Sequence, residues 1–309
     1  MRIHDDWKAV PADARGATVA IGNFDGVHVG HRSVIDLARQ SLNAPLGVIT
    51  FEPHPREYFF PHAAPFRLMN AEARANRLAR LGVDHLYQLP FGPDLVSLTP
   101  EAYARDVLVG GLGVRHVTVG SDFCFGRERA GTPDTLQELG AKFGFGVTIA
   151  PMVGHEGTRV SSTAIREALS AGHPRDAERM LGHWHRIDGE VLHGFKRGRE
   201  LGFPTANMSM DRLHLPAFGV YAVLVDVLTG PDRGTYKGVA NLGIRPMFDG
   251  EKPNLESYLF DYSGDLYGQH LSVALVDYLR PEMNFDGLET LITAINDDVA
   301  RARAILADR

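Results

Sequence analysis

Three stretches of this sequence combine residue types and spacings suited to handling phosphate. The first, Ile21-Gly22-Asn23-Phe24-Asp25-Gly26-Val27-His28-Val29-Gly30-His31, leaves an apolar run, turns through glycines and enters a segment of helical periodicity. Histidines three apart share one face of a first helical turn, and a helix N-terminus offers N–H groups and partial positive charge to an anion. Two imidazoles added there would grip a polyphosphate, although the same pair would also suit solvent-facing positions in a glycine-rich turn. The second stretch is Arg159-Val160-Ser161-Ser162-Thr163-Ala164-Ile165-Arg166. Its serines read as a helix start and would serve equally as ordinary caps. Arg159 and Arg166 flank that start, where the helix dipole disfavours cations and a bound anion would remove the conflict. The third stretch, Gly189 to Asn207, sets Gly194, Gly198 and Gly202 among Lys196, Arg197 and Arg199, then continues Pro204-Thr205-Ala206-Asn207. Glycines let backbone N–H groups approach phosphate, and Thr205 offers a hydroxyl to magnesium. A basic hairpin followed by a proline turn would look much the same. The P-loop pattern G-x-x-x-x-G-K-[ST] does not occur.

These stretches need elements to position them. From residue 17 to about 182, short apolar runs alternate with longer amphipathic ones, the signature of βα units that build a parallel sheet. Ala17–Ile21, Gly47–Phe51, His85–Leu89, His116–Val119 and Val147–Ala150 read as strands. Ser33–Ser41, Ala71–Leu81, Pro100–Leu108 and Asp134–Phe143 carry helical spacing. An α/β half of doubly wound type is expected, ending at 182. Beyond it, Tyr221–Leu228, Tyr236–Ala240, Leu255–Tyr262 and Leu271–Leu279 predict a small antiparallel β-barrel over 183–309. A C-terminal helix carrying Leu291, Ile292, Ile295, Val299 and Ala302 on one stripe should lie against the barrel. Period-two reading of Leu255–Tyr262 puts Glu256 on one strand face with Tyr258, Phe260 and Tyr262. A carboxylate on an aromatic face is costly unless it is used or paired.

The chain has 309 residues, 44% hydrophobic and 23% charged, enough for about two domains with sizeable cores. A formal net charge of -6 gives no long-range attraction for nucleic acid or an anionic membrane, so small molecules are the expected partners. No apolar run approaches the roughly 18 residues that span a bilayer, and Met1-Arg2-Ile3-His4-Asp5-Asp6 does not open as a signal peptide. A cytoplasmic protein, monomeric by default, is expected. The single cysteine, Cys124, has no internal disulfide partner and reads as a packing residue.

The first two phosphate stretches together resemble the nucleotidyltransferase superfamily, whose H-x-G-H and S-S-T-x-x-R elements clasp ATP. Thr50-Phe51-Glu52-Pro53-His54-Pro55-Arg56-Glu57 and Gly120-Ser121-Asp122-Phe123-Cys124-Phe125-Gly126 narrow the resemblance to the FMN adenylyltransferase module of bacterial bifunctional FAD synthetases. The third stretch is similar to the riboflavin kinase signature. Gly219-Val220-Tyr221, Gly238-Val239-Ala240-Asn241-Leu242-Gly243 and Gly264-Asp265-Leu266-Tyr267-Gly268 continue it, so the resemblance covers nearly the whole chain.

The resemblance implies ATP-dependent phosphorylation of riboflavin to FMN by the C-terminal module and adenylylation of FMN to FAD, with release of pyrophosphate, by the N-terminal one. It implies ATP contacts from Asn23, His28, His31, Asp122, Arg159, Ser162, Thr163 and Arg166, with no protein nucleophile. Pro53, His54 and Pro55 read as a stiff loop at the ligand edge of the sheet, and Phe59, Phe123 and Phe125 either offer flat surfaces to the isoalloxazine ring or pack in the core. In the kinase module it implies ATP contacts from Gly194, Lys196, Gly198, Arg199, Gly202, Thr205 and Asn207. Thr205 and Asn207 would hold Mg2+, and Glu256 would be the general base. Ile244 and Met247 depart from threonines common among relatives, which leaves open a barrel that binds flavin with weak kinase activity. A flavin- or RNA-binding regulator is the non-enzymatic alternative, and the acidic balance argues against it.

Overall fold

The computed structural model describes residues 1–152, 154–155, 158–193, 202–247 and 250–309, with side chains left aside at 154–155, 158–159, 245–247 and 250–251. The chain forms two compact units. One comprises Met1–Ala64 and Arg74–Val160, the other Pro65–Ala73 and Ser161–Arg309.

The first unit is a parallel sheet of β1 (Arg2–His4), β2 (Thr18–Ile21), β3 (Leu46–Glu52), β4 (His85–Pro90), β5 (His116–Gly120) and β6 (Gly146–Ala150), in the order β1-β4-β3-β2-β5-β6. Strands β2 and β3 are nearly continuous apolar runs because helices cover both faces of such sheets. The helices are α1 (Val29–Ser41), α2 (Pro55–Phe59), α3 (Ala71–Arg80), α4 (Pro93–Val96), α5 (Pro100–Ala102) and α6 (Pro133–Phe143). Val19, Ile49, Leu89, Leu108, Val117 and Leu136 are among the residues of its buried core. The five strands expected from sequence are present within a residue or two of their expected ends. The edge strand β1 is an addition, too short at Arg2–His4 to carry a periodicity. The helix expected over Pro100–Leu108 turns into a π-helix at Tyr103–Gly111, where Leu112 N–H donates to the Val107 carbonyl at 2.9 Å. From β2 the chain winds outward through β3 and β4, then returns to β5 on the other side of β2. Such a reversal opens a crevice at the carboxyl ends of the strands, where open α/β sheets take ligands.

In the second unit, α7 (Ser162–Ser170) and α8 (Pro174–Leu181) precede an antiparallel sheet in the order β10-β13-β12-β11-β14-β9. These strands are β9 (His185–Glu190), β10 (Ala206–Ser209), β11 (Gly219–Val227), β12 (Gly234–Met247), β13 (Gly250–Leu259) and β14 (His270–Arg280). A two-residue pair, β7 (Gly154–His155) with β8 (Thr158–Arg159), ends the first unit just before α7. The edges β9 and β10 meet at an isolated bridge, Leu192 with Asn207, which nearly closes the barrel. Met208, Val223, Leu242, Leu255 and Val273 fill it. The C-terminal helix Leu288–Ile305 covers the outside through Val299, Ala302, Ile305 and Leu306. Leu291, Ile292 and Ile295, expected on the same stripe, are only half-buried. Strand β13 stops at Leu259, and the chain reverses at Asp261 with φ of 57°. Tyr262 therefore leaves the face expected for it and packs edge-on against Tyr236 at 5.1 Å, toward the barrel core.

Pro65–Ala73, although early in the sequence, forms a strap on this second unit. Asn70 donates to the Asp188 carbonyl at 2.8 Å, Glu72 meets the His270 ring at 2.8 Å, and Arg67 bridges to Leu213. Leu68 is buried with Ile165, Leu169, Ala177 and Leu181 of α7 and α8.

Candidate functional site

In the first unit, the turn from β2 into α1 is held in unusual backbone. Phe24 and Val27 have φ of 50° and 43°, and Gly26 has 89°. A β-branched residue in the left-handed region is an outlier of the kind found where a site dictates the backbone. His28 is the N-cap of α1, and its Nδ1 accepts from the His31 N–H at 3.2 Å. The imidazoles of His28 and His31 stack with centroids 3.6 Å apart and 13° between planes, so the pair shares one face as the spacing predicted. Gly30 leaves room beside them, since a Cβ there would press on the His28 ring at 3.1 Å. Burial, and then the neighbouring His28, push the His31 pKa well below 6.5 and keep its imidazole neutral. His31 Nδ1 is buried without a hydrogen-bond partner among the described residues, an atom positioned to meet a ligand. Asn23 is exposed at the start of this turn, and its carbonyl accepts from the Thr50 hydroxyl at 3.2 Å.

The carboxyl ends of β3 and β5 flank this turn. After β3, Glu52–Pro53 is a cis peptide, and His54 caps α2 with its Nδ1 accepting from Arg56 N–H at 3.1 Å. Glu57 closes the capping box on the His54 N–H at 3.0 Å, so Pro53-His54-Pro55 is fixed by its own hydrogen bonds. Beneath it, buried Arg74 pairs with Glu52 at 2.6 Å and Gln88 at 3.0 Å. Phe59 is 54% exposed and meets Phe91 edge-on at 5.8 Å, leaving apolar surface open. After β5, exposed Asp122 precedes Phe123 and Phe125, which stack at 5.6 Å and 13°. Cys124 between them is half-buried, its Sγ 3.8 Å from the Asp122 carbonyl. Tyr103, absent from the expected set, stands 5.6 Å from Phe125 at the first residue of the π-helix. Its hydroxyl is buried without a partner among the described residues. Irregular π turns recur at functional sites, but an alternating pattern of apolar residues does not reveal one.

The S-S-T-x-x-R element belongs to the second unit. Ser161 caps α7 by accepting from Ala164 N–H at 3.2 Å, a bond worth about 1 kcal/mol. Ser162 and Thr163 are the first two helical residues, whose N–H groups have no intrahelical acceptor. Arg166 sits one turn further along. Its Nε donates to the Phe66 carbonyl at 2.6 Å, and its guanidinium lies 5.4 Å from the Phe66 ring centroid. The strap thus fixes the direction of this arginine. The Arg159 side chain lies outside the described residues.

On the barrel, register supplies the arrangement. Glu256 of β13 is paired with Asn207 of β10 on one side and Asn241 of β12 on the other. Directly opposed residues point to the same face, and here that face is turned away from the barrel core, since Leu255, Leu259, Ala206 and Leu242 occupy the inside. Asn254, two residues before Glu256 on the same face, donates to Asn207 Oδ1 at 3.0 Å and to Glu256 Oε1 at 3.3 Å. Asn241 donates to Glu282 Oε1 at 3.3 Å. Phe203 reaches Tyr258 edge-on at 5.5 Å, carrying the end of the glycine-rich stretch onto this face. Gly202 has φ of 83°, and Asn207 donates to the Thr205 carbonyl at 3.3 Å. Gly194, Lys196, Gly198 and Arg199 lie outside the described residues. Asn241 was missed from sequence because only pairing brings it to Glu256, and Asn254 because the strand expected there began at Leu255 whereas β13 starts at Gly250.

Comparisons with known proteins follow this division. Residues 10–164 match the family described as FAD synthetase, and residues 181–306 match the family described as riboflavin kinase. A bifunctional riboflavin kinase/FMN adenylyltransferase of Pseudomonas fluorescens is 46% identical over 297 residues, covering 95% of this chain and 94% of the relative. Its namesake in Escherichia coli strain K12 is 40% identical over 295 residues, covering 94% and 93%. A crystal structure from Streptococcus pneumoniae, named as a macrolide-efflux protein, has a TM-score of 0.80 at 30% identity and covers 96% of each chain. No helix among the described residues of this chain is long and apolar enough to cross a membrane.

Proposed function

We propose a division of labour for a chain that belongs to the bifunctional riboflavin kinase/FMN adenylyltransferase family and therefore phosphorylates riboflavin to FMN and adenylylates FMN to FAD, using ATP in each step. Residues 1–182 form the adenylyltransferase module and 183–309 the kinase module. In the kinase, Glu256 takes the proton from the 5′-hydroxyl of riboflavin as that oxygen attacks the γ-phosphorus of ATP and ADP leaves. The observation that carries this assignment is the row Asn207, Glu256 and Asn241, with Asn254 bonded to both Asn207 and Glu256, which holds a carboxylate at a fixed place among three amides. Thr205 and Asn207 offer hydroxyl and carboxamide oxygens, hard donors that suit magnesium. They would hold the ion, which when bound neutralises phosphate charge. Gly194, Lys196, Gly198, Arg199 and Gly202 cradle the nucleotide.

In the adenylyltransferase, a phosphate oxygen of FMN attacks the α-phosphorus of ATP and pyrophosphate leaves. Bond making needs no protein nucleophile, so the chain contributes alignment and charge neutralisation. His28 and His31 donate to the phosphate chain from the start of α1. Ser162, Thr163, Arg159 and Arg166 do so from the start of α7, with Asn23 and Asp122 beside the nucleotide. Pro53, His54, Pro55 and Phe59, with Phe123, Phe125 and the hydroxyl of Tyr103, receive the flavin. We place both reactions in the cytoplasm, in a monomer acting on riboflavin, FMN and ATP without nucleic acid or membrane partners. The test is incubation of the purified chain with riboflavin and ATP, with and without Mg2+, followed by chromatography. FMN then FAD should accumulate with Mg2+ only. Product formation unaffected by a chelator would overturn the ion's role.

A further inference from the structure

The helix that carries Arg166 is held by a segment from beyond residue 183. The connection from β10 to β11 runs along α7, with Ala217 N–H donating to the Leu169 carbonyl at 2.9 Å. Within it, His214 makes two kinds of contact. Its backbone N–H donates to the Arg67 carbonyl at 2.8 Å, one residue from the Phe66 carbonyl that accepts from Arg166 Nε. Its ring Nε2 lies 3.0 Å from the Arg166 carbonyl and 3.1 Å from the Ser170 hydroxyl. A carbonyl only accepts, so Nε2 carries the proton and donates to Arg166. One residue thus braces the strap that aims the guanidinium and the helix backbone from which that guanidinium extends. Leu213 beside it is buried and bridges to Arg67, and the Tyr221 hydroxyl donates to the Ala217 carbonyl at 2.5 Å, so the segment is itself anchored in the barrel.

We propose that His214 is a positioning residue for adenylyl transfer: a side chain from the kinase half of the sequence holds Arg166 in the direction needed to neutralise charge developing on the ATP phosphates. The proposal rests on the assignment of Arg166 to that role. Arg166 acts on the transition state more than on bound substrate, so a small misdirection lowers kcat rather than raising KM. A displacement of 1 Å can cost about a hundredfold. Partial loosening, with the backbone bond to Arg67 retained, should cost about tenfold.

The experiment measures FMN adenylylation and riboflavin phosphorylation in the full chain for His214→Ala, His214→Gln, Arg166→Ala and the double variant His214→Ala, Arg166→Ala. His214→Ala should lower the adenylylation kcat about tenfold, with KM for ATP and kinase turnover within about twofold of the parent. His214→Gln, whose amide nitrogen can replace the Nε2 donor, should recover most of the loss, and the double variant should be no slower than Arg166→Ala. Should the alanine variant fail to fold, His214→Gln against His214→Asn keeps the test, because asparagine is too short to reach the carbonyl. Parent-like adenylylation in His214→Ala beside an impaired Arg166→Ala would overturn the proposal and leave the Arg166 assignment standing. Equal loss of both activities in His214→Ala would reduce His214 to a structural contact. Parent-like adenylylation in Arg166→Ala would remove the assignment and the proposal with it.

Discussion

The residues proposed for chemistry lie where strands end in the parallel-sheet unit, whereas in the barrel they lie along strands. His28, His31, Pro53, His54, Asp122 and Phe123 all follow the last residue of a strand, so their positions depend on turn backbone and caps. Asn207, Glu256 and Asn241 sit within strands, and a shift of one residue in pairing would turn each of them into the core. A site of the first kind tolerates changes in the sheet and is sensitive to its loops. A site of the second kind is bound to the register of the whole barrel.

The largest effect expected from this contrast is at Glu256. Glu256→Gln keeps the shape and the bond from Asn254 but removes the base, so riboflavin phosphorylation should fall by about 10²–10⁴ while adenylylation of supplied FMN stays within about twofold. Equal loss of both in a folded variant would erase the distinction between the sites. His31→Ala comes next. Loss of one contact to developing phosphate charge is worth on the order of a hundredfold, confined to adenylylation. An equal drop in phosphorylation, followed by ADP release, would place the histidines outside a dedicated site.

A smaller effect sharpens the comparison at the π-helix. If the buried hydroxyl of Tyr103 meets the flavin, Tyr103→Phe should raise KM for FMN about fivefold, the value of one hydrogen bond of about 1 kcal/mol, without lowering the melting temperature. An unchanged KM would return Tyr103 to packing. The last effect concerns pH and separates the units by stability rather than by activity. His185 in β9 is buried, and desolvation pushes its pKa down to about 3. An unfolded histidine titrates near 6.5, so below that pH the unfolded chain binds a proton that the folded barrel refuses. The stability from this group is complete above about 6.5 and is lost as pH falls toward 3, with a limiting slope of about 1.4 kcal/mol per pH unit. Denaturant titrations at pH 6 and pH 4 should show a shallower acid loss for His185→Gln, in the barrel transition only. The same slope in both proteins would show that another group sets the acid limb.

What could be read from sequence follows from the same contrast. Turn-borne residues are contiguous, so His28-Val29-Gly30-His31 and Pro53-His54-Pro55 announce themselves, and the β2–β6 strands are visible as apolar runs. Strand-borne partners are scattered. Glu256 stood out as a carboxylate among aromatics, but Asn241 could be joined to it only by pairing, and Asn254 fell just before the strand expected from Leu255. The direction assigned to Tyr262 failed because a period of two has no means of marking the reversal at Asp261, where a non-glycine residue adopts positive φ. Membership of Pro65–Ala73 in the second unit is equally invisible, since nothing in a local pattern says which distant carbonyls a segment will meet.

That strap has a consequence for how the chain comes off the ribosome. Phe66 must wait for Arg166, 100 residues later, Asn70 for Asp188, 118 later, and Glu72 for His270, 198 later. Contacts of such span carry a large loop-closure cost before they return any stability, and they slow folding. At about 5–20 residues per second the last of these partners emerges on the order of ten seconds or more after Glu72. A nascent chain arrested after the parallel sheet is complete would therefore display Leu68 and its neighbours uncovered. Dividing the gene between the two modules would leave the C-terminal product without a piece of its own fold, however well the cut respects the strands.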